Sequence, residues 1–236
     1  MNIVISFATG RFIESQKLLE KKSYEMGADK VISYNRDSLD SKFISENYNI
    51  LKHSRGSGYW LWKPYLIKKT LDECNVGDVV VYCDSGMYPI RHLDNMFSLM
   101  KNREICLFKV HETKNKNWTK IDCFNLMDCF GDKFTESEQV NAAVQIYKKT
   151  NKSLHFVEKM LYYSCDENII SDKVSITGNE MSSFKDHRHD QSIITNMAIK
   201  ENIDILRDPT QYGNKFSEKY KNSNYEQIFH HHRGKM

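Results

Sequence analysis

An α/β fold with a mostly parallel central sheet flanked by helices is what this sequence predicts, on three observations. The chain opens on an extended apolar run, an amphipathic stretch and a second extended run, the β, α, β unit that builds parallel sheets. Val79-Val80-Val81-Tyr82-Cys83 is its most strand-like segment. That segment ends in Asp84-Ser85-Gly86, where open α/β sheets place ligands, outside the carboxyl ends of their strands.

Residues 2–8 predict the first strand, and Thr9-Gly10 breaks it. Phe12, Gln16, Leu19 and Lys22-Ser23 fall at helical spacing over 12–26, and Gly27 is a natural helix stop. Residues 30–34 predict the second strand and 39–47 a short helix. After the Arg55-Gly56-Ser57-Gly58 loop, a helix is predicted over 62–74 with Pro64 in its first turn, where a missing N–H costs little. Gly77-Asp78 turns the chain into the strand 79–83. Further on, 93–100 reads as helix, 105–110 as strand and the Lys/Asn-rich stretch around Trp118 as loop. Residues 140–147 fit strand or helix equally. Helices follow over 153–165 and 190–201, and a short strand over 203–206. Residues 1–213 thus form one domain, and 214–236 a polar tail with five Lys or Arg against Glu218 and Glu226, suited to act as a lid.

Composition limits the function. Among 236 residues, 34 Lys and Arg face 31 Asp and Glu, a net charge of +3, too small for an electrostatic grip on duplex DNA; no nucleic-acid partner is expected. A 40% hydrophobic content, at a length that buries roughly 70% of the unfolded surface, supports a real core. The apolar start is too short to span a membrane and lacks a signal peptide's basic lead, so a soluble, cytoplasmic protein without a transmembrane segment is expected. Six cysteines with no Cys-x-x-Cys pair read as reduced and structural.

Neither Gly-x-Gly-x-x-Gly nor a Walker phosphate loop occurs. The informative block is Gly58-Tyr59-Trp60-Leu61-Trp62-Lys63-Pro64, followed by Asp84-Ser85-Gly86. Its aromatics serve as core anchors or as a stacking surface, and Asp84 as a turn cap or as a ligand-holding carboxylate. His187, His189 and His230-His231-His232 concentrate five of nine histidines in two short segments, a pattern of divalent-metal sites and equally of hydrogen-bonded loop residues and a solvated tail. Asp190 is an ordinary helix N-cap or a carboxylate facing substrate.

Taken together, the Gly58 to Pro64 block, the strand into Tyr82-Cys83-Asp84-Ser85-Gly86 and the run His187-Arg188-His189-Asp190-Gln191-Ser192 resemble the small GT-A glycosyltransferases of capsule, lipopolysaccharide and large-virus glycosylation. The resemblance covers residues 2 to about 206. It implies a Rossmann-like GT-A domain that moves a hexosyl group from a nucleotide diphosphate sugar to a hydroxyl of a glycan or glycolipid acceptor. It also implies donor contacts from Phe7, Ala8, Thr9, Trp62, Lys63, Asp84, Ser85 and Gly86; the charge that gathers on the departing diphosphate makes Lys63, Arg233 and Lys235 candidates to neutralise it. Asn141, Ala142, Gln145 and Gln191 would contact the acceptor. Asp190 would act there as base in an inverting reaction or as a positioning group in a retaining one. The implied cofactor is Mn²⁺ or Mg²⁺ on Asp84; Gly86, where the family's Asp-x-Asp has its second carboxylate, leaves that site ligand-poor, and the clustered tail histidines His230 and His232 are candidate ligands if the tail folds over the donor. Two rivals stand beside this reading: a metal-dependent phosphohydrolase built on His189-Asp190, and a non-catalytic glycan- or RNA-binding module using the aromatics and the basic tail.

Overall fold

The computed structural model describes residues 1–232; Arg233 and Lys235, expected at the diphosphate, lie outside the described residues. The strands are β1 (Asn2–Phe7), β2 (Lys30–Tyr34), β3 (Val79–Cys83), β4 (Met87–Pro89), β5 (Ile105–Lys114), β6 (Glu138–Lys148), β7 (Ile205–Leu206) and β8 (Phe229–His231). The longer helices are α1 (Ile13–Glu25), α2 (Trp62–Glu73), α3 (Asp94–Leu99), α4 (Asn151–Ser164) and α5 (Asp190–Lys200). Among the described residues the central sheet has the order β2-β1-β3-β6-β5-β7. β1 pairs in parallel with β2 and β3, and β5 with β7, whereas β6 runs antiparallel to both β3 and β5. Five strands therefore point one way and β6 opposes them.

Alternation of side chains along the strands divides the core into two layers. Ile3, Ile5 and Phe7 of β1 with Val80 and Tyr82 of β3 face α2, α4 and α5, packing against Ile67, Phe156 and Ile194. Val4, Val79, Val81 and Cys83 face the other way, onto Leu19 of α1, Met96 of α3 and the tail residues Ile228 and Phe229. Gly27 ends α1 at φ +94°, and a Cβ there would meet the His92 ring at 2.3 Å. The Thr150 and Ser153 side chains form a reciprocal capping box at the start of α4.

Several elements differ from the sequence expectation. Residues 140–147, which fit either state, lie inside β6; Gln139 to Tyr147 are buried throughout, so period-two alternation is absent where both faces are covered. β5 runs on to Lys114 past a register break after Lys109. The helix expected over 39–47 is a 3₁₀ turn (Arg36–Ser38) and a short helix (Ser41–Glu46), and the Trp118 region carries the helical turns Asn115–Asn117 and Ile121–Asn125. β4 and β8 escaped notice because three-residue strands carry no periodic signal.

The segment 214–232, expected as a polar tail, is docked. β8 pairs antiparallel with β4, and Ile228 and Phe229 are fully buried. Ile228 N and Phe229 N donate to Pro209 O at 2.8 and 3.1 Å, and His232 N donates to Gly86 O at 2.9 Å. Buried Arg207 donates to Tyr225 O, and Tyr225 Oη donates back to Arg207 O. The six cysteines are free thiols, and among the described residues no helix is long and apolar enough to cross a membrane.

Candidate active site

The carboxyl ends of β1 and β3 are neighbours because the two strands are parallel, and β6 enters the sheet from the same edge. Two cavities open there. The first, 570 Å³, is lined by Phe7, Ala8, Thr9, Trp62, Asp84, Ser85 and Gly86 together with Ser57, Trp60 and His231. The second, 580 Å³, is lined by Lys63, Asn141, Ala142, Asp190 and Gln191 with Trp118 and Arg188. Trp60, Asp84 and His231 line both.

Lys63 joins the two halves. The first turn of α2 carries it under the sheet edge, where its side chain is 2% exposed and its Nζ lies 2.6 Å from Asp190 Oδ2 and 3.3 Å from Asp84 Oδ1. The same Nζ donates to Ala142 O at 3.1 Å, so three oxygens surround the ammonium. Burial works against the ammonium charge, but Asp190 and Asp84 outweigh it and hold the pKa above the usual lysine value. Lys63 thus faces the second cavity and bridges two carboxylates, rather than standing in the first as a free cation for a diphosphate.

Asp84 receives a second bond, 2.5 Å, from Tyr82 Oη, two residues back on the same strand face. Burial and the facing Asp84 push the Tyr82 phenol well above its ordinary pKa. Asp190 is buried, and that burial raises its pKa to about 6, with Lys63 pulling the other way and Asp84 adding repulsion. Asp190 is the first residue of α5 and not its cap: His189 holds the N-cap position without a side-chain cap bond. The capping role therefore does not account for the Asp190 carboxylate, which is turned to Lys63.

Gln145 lines neither cavity. It is buried, donates from Nε2 to Ala142 O at 2.9 Å and accepts from Tyr147 Oη at 2.6 Å; the alternation of β6 turns it into the core, where it steadies the carbonyl that Lys63 also holds. His187 and His189 form no metal pair. His187 Nε2 lies 2.9 Å from Ile169 O while Nδ1 accepts from Lys120 N at 3.3 Å, and His189 Nδ1 lies 2.7 Å from Ile170 O. Burial drives the His187 pKa well below its ordinary value, as suits a neutral ring pinning a loop. In the tail, the histidine that reaches the cavities is His231. Its backbone N and O are held by the Gln211 side chain at 3.0 and 2.7 Å, whereas the rings of His230 and His232 lie against Tyr88. Among the described residues no three His, Cys, Asp or Glu side chains converge on a metal site.

Sequence reasoning also missed the shape of the loop that separates the cavities. Gly56, Ser57, Gly58, Tyr59 and Trp60 have φ of 57°, 51°, 101°, 52° and 61°, one turn of left-handed helix. Such backbone costs an L-residue roughly 1–2 kcal/mol, and Ser57, Tyr59 and Trp60 bear it without glycine's freedom. Trp62 Nε1 donates to Gly56 O at 2.9 Å, Tyr59 N to Arg55 O at 2.8 Å, and the Tyr59 and Trp60 rings stack on His189 at 4.9 and 5.4 Å. These contacts hold Trp60 between the cavities. The Gly56-Ser57-Gly58 run was the signal for it. Phe7 and Trp62 stack at 3.9 Å and are nearly buried, so they anchor the core and form the cavity floor at once.

No family model matches the chain, and no curated protein matches its sequence. In structure it is similar to mouse xyloside xylosyltransferase 1, with a TM-score of 0.52 and 10% identity over 98% of this chain and 97% of that one. It is also similar to the glycosyltransferase GlyE of Streptococcus pneumoniae TIGR4, with a TM-score of 0.51 and 16% identity over 98% of this chain and 54% of that one. This chain therefore spans about half of GlyE. The fold is that of the GT-A glycosyltransferases.

Proposed function

We propose that the protein is a glycosyltransferase that moves a hexosyl group from a nucleotide diphosphate sugar to a hydroxyl of a glycan or glycolipid. The observation that carries this reading is the Asp84–Lys63–Asp190 bridge at the junction of two cavities, one on each side of Trp60. The donor occupies the first cavity, against Phe7 to Thr9 and Asp84 to Gly86, and the acceptor the second, beside Asn141, Asp190 and Gln191.

During transfer the bond from the anomeric carbon to the diphosphate breaks as the bond to the acceptor oxygen forms, and the acceptor hydroxyl gives up its proton. Asp190, with a pKa near 6, is ionised at neutral pH and basic enough to accept that proton. It acts as base if the configuration inverts and orients the hydroxyl if it is retained; the anomeric configuration of the product distinguishes the two. Lys63 sets a buried positive charge between the two carboxylates and favours the ionised form of Asp190. Residues 214–232 roof the site through His231.

Charge gathers on the departing diphosphate, and a divalent ion would offset it. Asp84 brings one carboxylate and Gly86 none, with His231 on the same cavity wall. That donor set suits an ion that arrives with the substrate phosphates, as Mg²⁺ is commonly held by one or two carboxylates plus phosphate oxygens. Asp84 and His231 are the residues that would hold Mn²⁺ or Mg²⁺. The phosphohydrolase alternative has less support, because among the described residues no three His, Cys, Asp or Glu side chains converge, and the Asp190 carboxylate is turned to Lys63.

The test is a screen of UDP-, GDP- and dTDP-sugars, with and without Mn²⁺, for thermal stabilisation and for release of nucleoside diphosphate. A ligand that binds only the native state raises its apparent stability. Stabilisation and release by at least one donor are expected; neither effect with any donor would overturn the reading.

A further inference from the structure

A third cavity, 370 Å³, adjoins the second and shares Val110, Asn141, Gln191 and His231 with it. The two form one groove along the sheet edge. Its outer part lies between β5 and the 3₁₀ turn Gln211–Phe216. β5 bends there: its pairing with β6 breaks after Lys109, and Glu112 has φ 60°.

The chemistry of this part differs from that of a phosphate site. Glu112 and Lys215 neutralise each other at 3.0 Å. Asp208 spends one oxygen on Thr210 N at 2.7 Å and the other on Asn141 Nδ2 at 3.1 Å. An anion entering here would meet two carboxylates and a lysine already paired. The rest of the lining is aromatic, with Tyr212 exposed and edge-on to His231 at 6.1 Å and Phe216 stacked on His111 at 3.9 Å, together with short polar groups fixed by their neighbours. Aromatic walls with a few oriented polar groups are how pockets hold neutral, orientation-sensitive ligands, and a sugar ring offers both an apolar face and a rim of hydroxyls.

We propose that this cavity is a further sugar subsite, holding the neutral sugar unit next to the one that receives the transferred residue, so that the acceptor is an oligosaccharide of at least two units. The proposal rests on the glycosyltransferase reading for the direction of the groove.

The test uses the full chain and matched pairs of methyl glycosides: β-galactoside with β-lactoside, β-glucoside with β-cellobioside, α-mannoside with α-mannobioside. Affinities are measured by saturation-transfer NMR. In at least one pair the disaccharide should bind about tenfold more tightly. Tyr212→Ala, a change at an exposed position, should erase that gain, while Tyr212→Phe should keep it. Equal affinities in every pair, no disaccharide binding, or a gain that survives Tyr212→Ala would overturn the subsite. Release of nucleoside diphosphate from UDP-, GDP- and dTDP-glucose is followed alongside. Release without a disaccharide preference defeats the subsite alone, whereas a disaccharide preference without release from any donor supports the subsite and defeats the proposed activity.

Discussion

Lys63 and Asp190 form a buried ion pair, 2.6 Å between Nζ and Oδ2, that fastens the start of α2 to the start of α5 beneath the sheet edge. Asp190 Oδ2 has no hydrogen-bond partner, so the attraction is one of charge in a dry setting. Asp84, partly exposed, stands 3.3 Å from the same ammonium, so the buried Lys63 lies between two carboxylates.

Lys63→Met should therefore destabilise the fold by about 3–5 kcal/mol, since removing one partner leaves buried charge uncompensated. Urea unfolding measures it. Adding Asp190→Asn to Lys63→Met should recover part of the loss, because the orphaned carboxylate is gone. A single variant as stable as wild type would show that the bridge carries no structural weight.

Asp190→Asn separates chemistry from scaffold through pH. Asp190 has a folded pKa of about 6 against 3.8 for an unperturbed aspartate, so the folded state binds its proton more tightly. Its contribution to stability is fully present below about pH 4 and is lost as pH rises through about 6, on the order of 2–4 kcal/mol. The variant should lack this dependence: its stability relative to wild type should climb between pH 4 and 6 and level off above. Transfer by wild type should rise with pH through about 6, and the variant should lose ~10²- to 10⁴-fold in rate with donor binding kept. Full activity in Asp190→Asn would remove Asp190 from the reaction.

Asp84→Ala should lower transfer by at least ~100-fold, about 2.7 kcal/mol of transition-state stabilisation, with the fold intact. The side chain is 30% exposed, and its loss leaves Lys63 paired with Asp190. Steady-state kinetics with a donor from the screen, and circular dichroism as the control, decide it; near-normal turnover by the folded variant contradicts donor binding through Asp84.

The three tail histidines should differ in their effect on metal dependence. His231→Ala should raise the Mn²⁺ concentration needed for half-maximal activity roughly tenfold, as loss of one ligand from a ligand-poor site does. His230→Ala should leave it unchanged, since that ring lies against Tyr88. Full activity of wild type in excess EDTA would show that no divalent ion takes part.

Gly58→Ala should be among the most damaging single-methyl changes. Gly58 has φ +101°, and a Cβ would stand 2.7 Å from Leu51 Cα, backbone that cannot swing aside. Loss of about 2–4 kcal/mol is expected from strain and overpacking together. Trp60 shifts with the turn, so the variant should also bind the donor less tightly at temperatures where it remains folded. A thermal midpoint equal to wild type would contradict the left-handed turn.

The frame of the fold was legible because its signals are local. The β1-α1-β2 opening, the stop at Gly27 and the buried strand into Asp84 each follow from side chains within a few positions of one another. Pro64 likewise marked the first turn of α2 and so placed Trp62 and Lys63 at a helix start. These features rest on sterics and on apolar runs that parallel strands need when both faces are covered.

Other features depend on partners far along the chain. Residues 140–147 became strand only because β3 and β5 supply hydrogen bonds on both sides. Lys63 has the same charge wherever it points, and its role as a bridge came from Asp84, Asp190 and Ala142 arriving around it. The histidine trio shows the reason most directly: His230, His231 and His232 are chemically identical, and successive strand residues point to opposite faces. His231 pairs with Met87 and His230 with Tyr88; a slip of one residue in that register would exchange the faces. Residue type set the candidates at the site, while long-range pairing chose which of them face the cavities, since pairing energy depends on contacts that chain order does not contain.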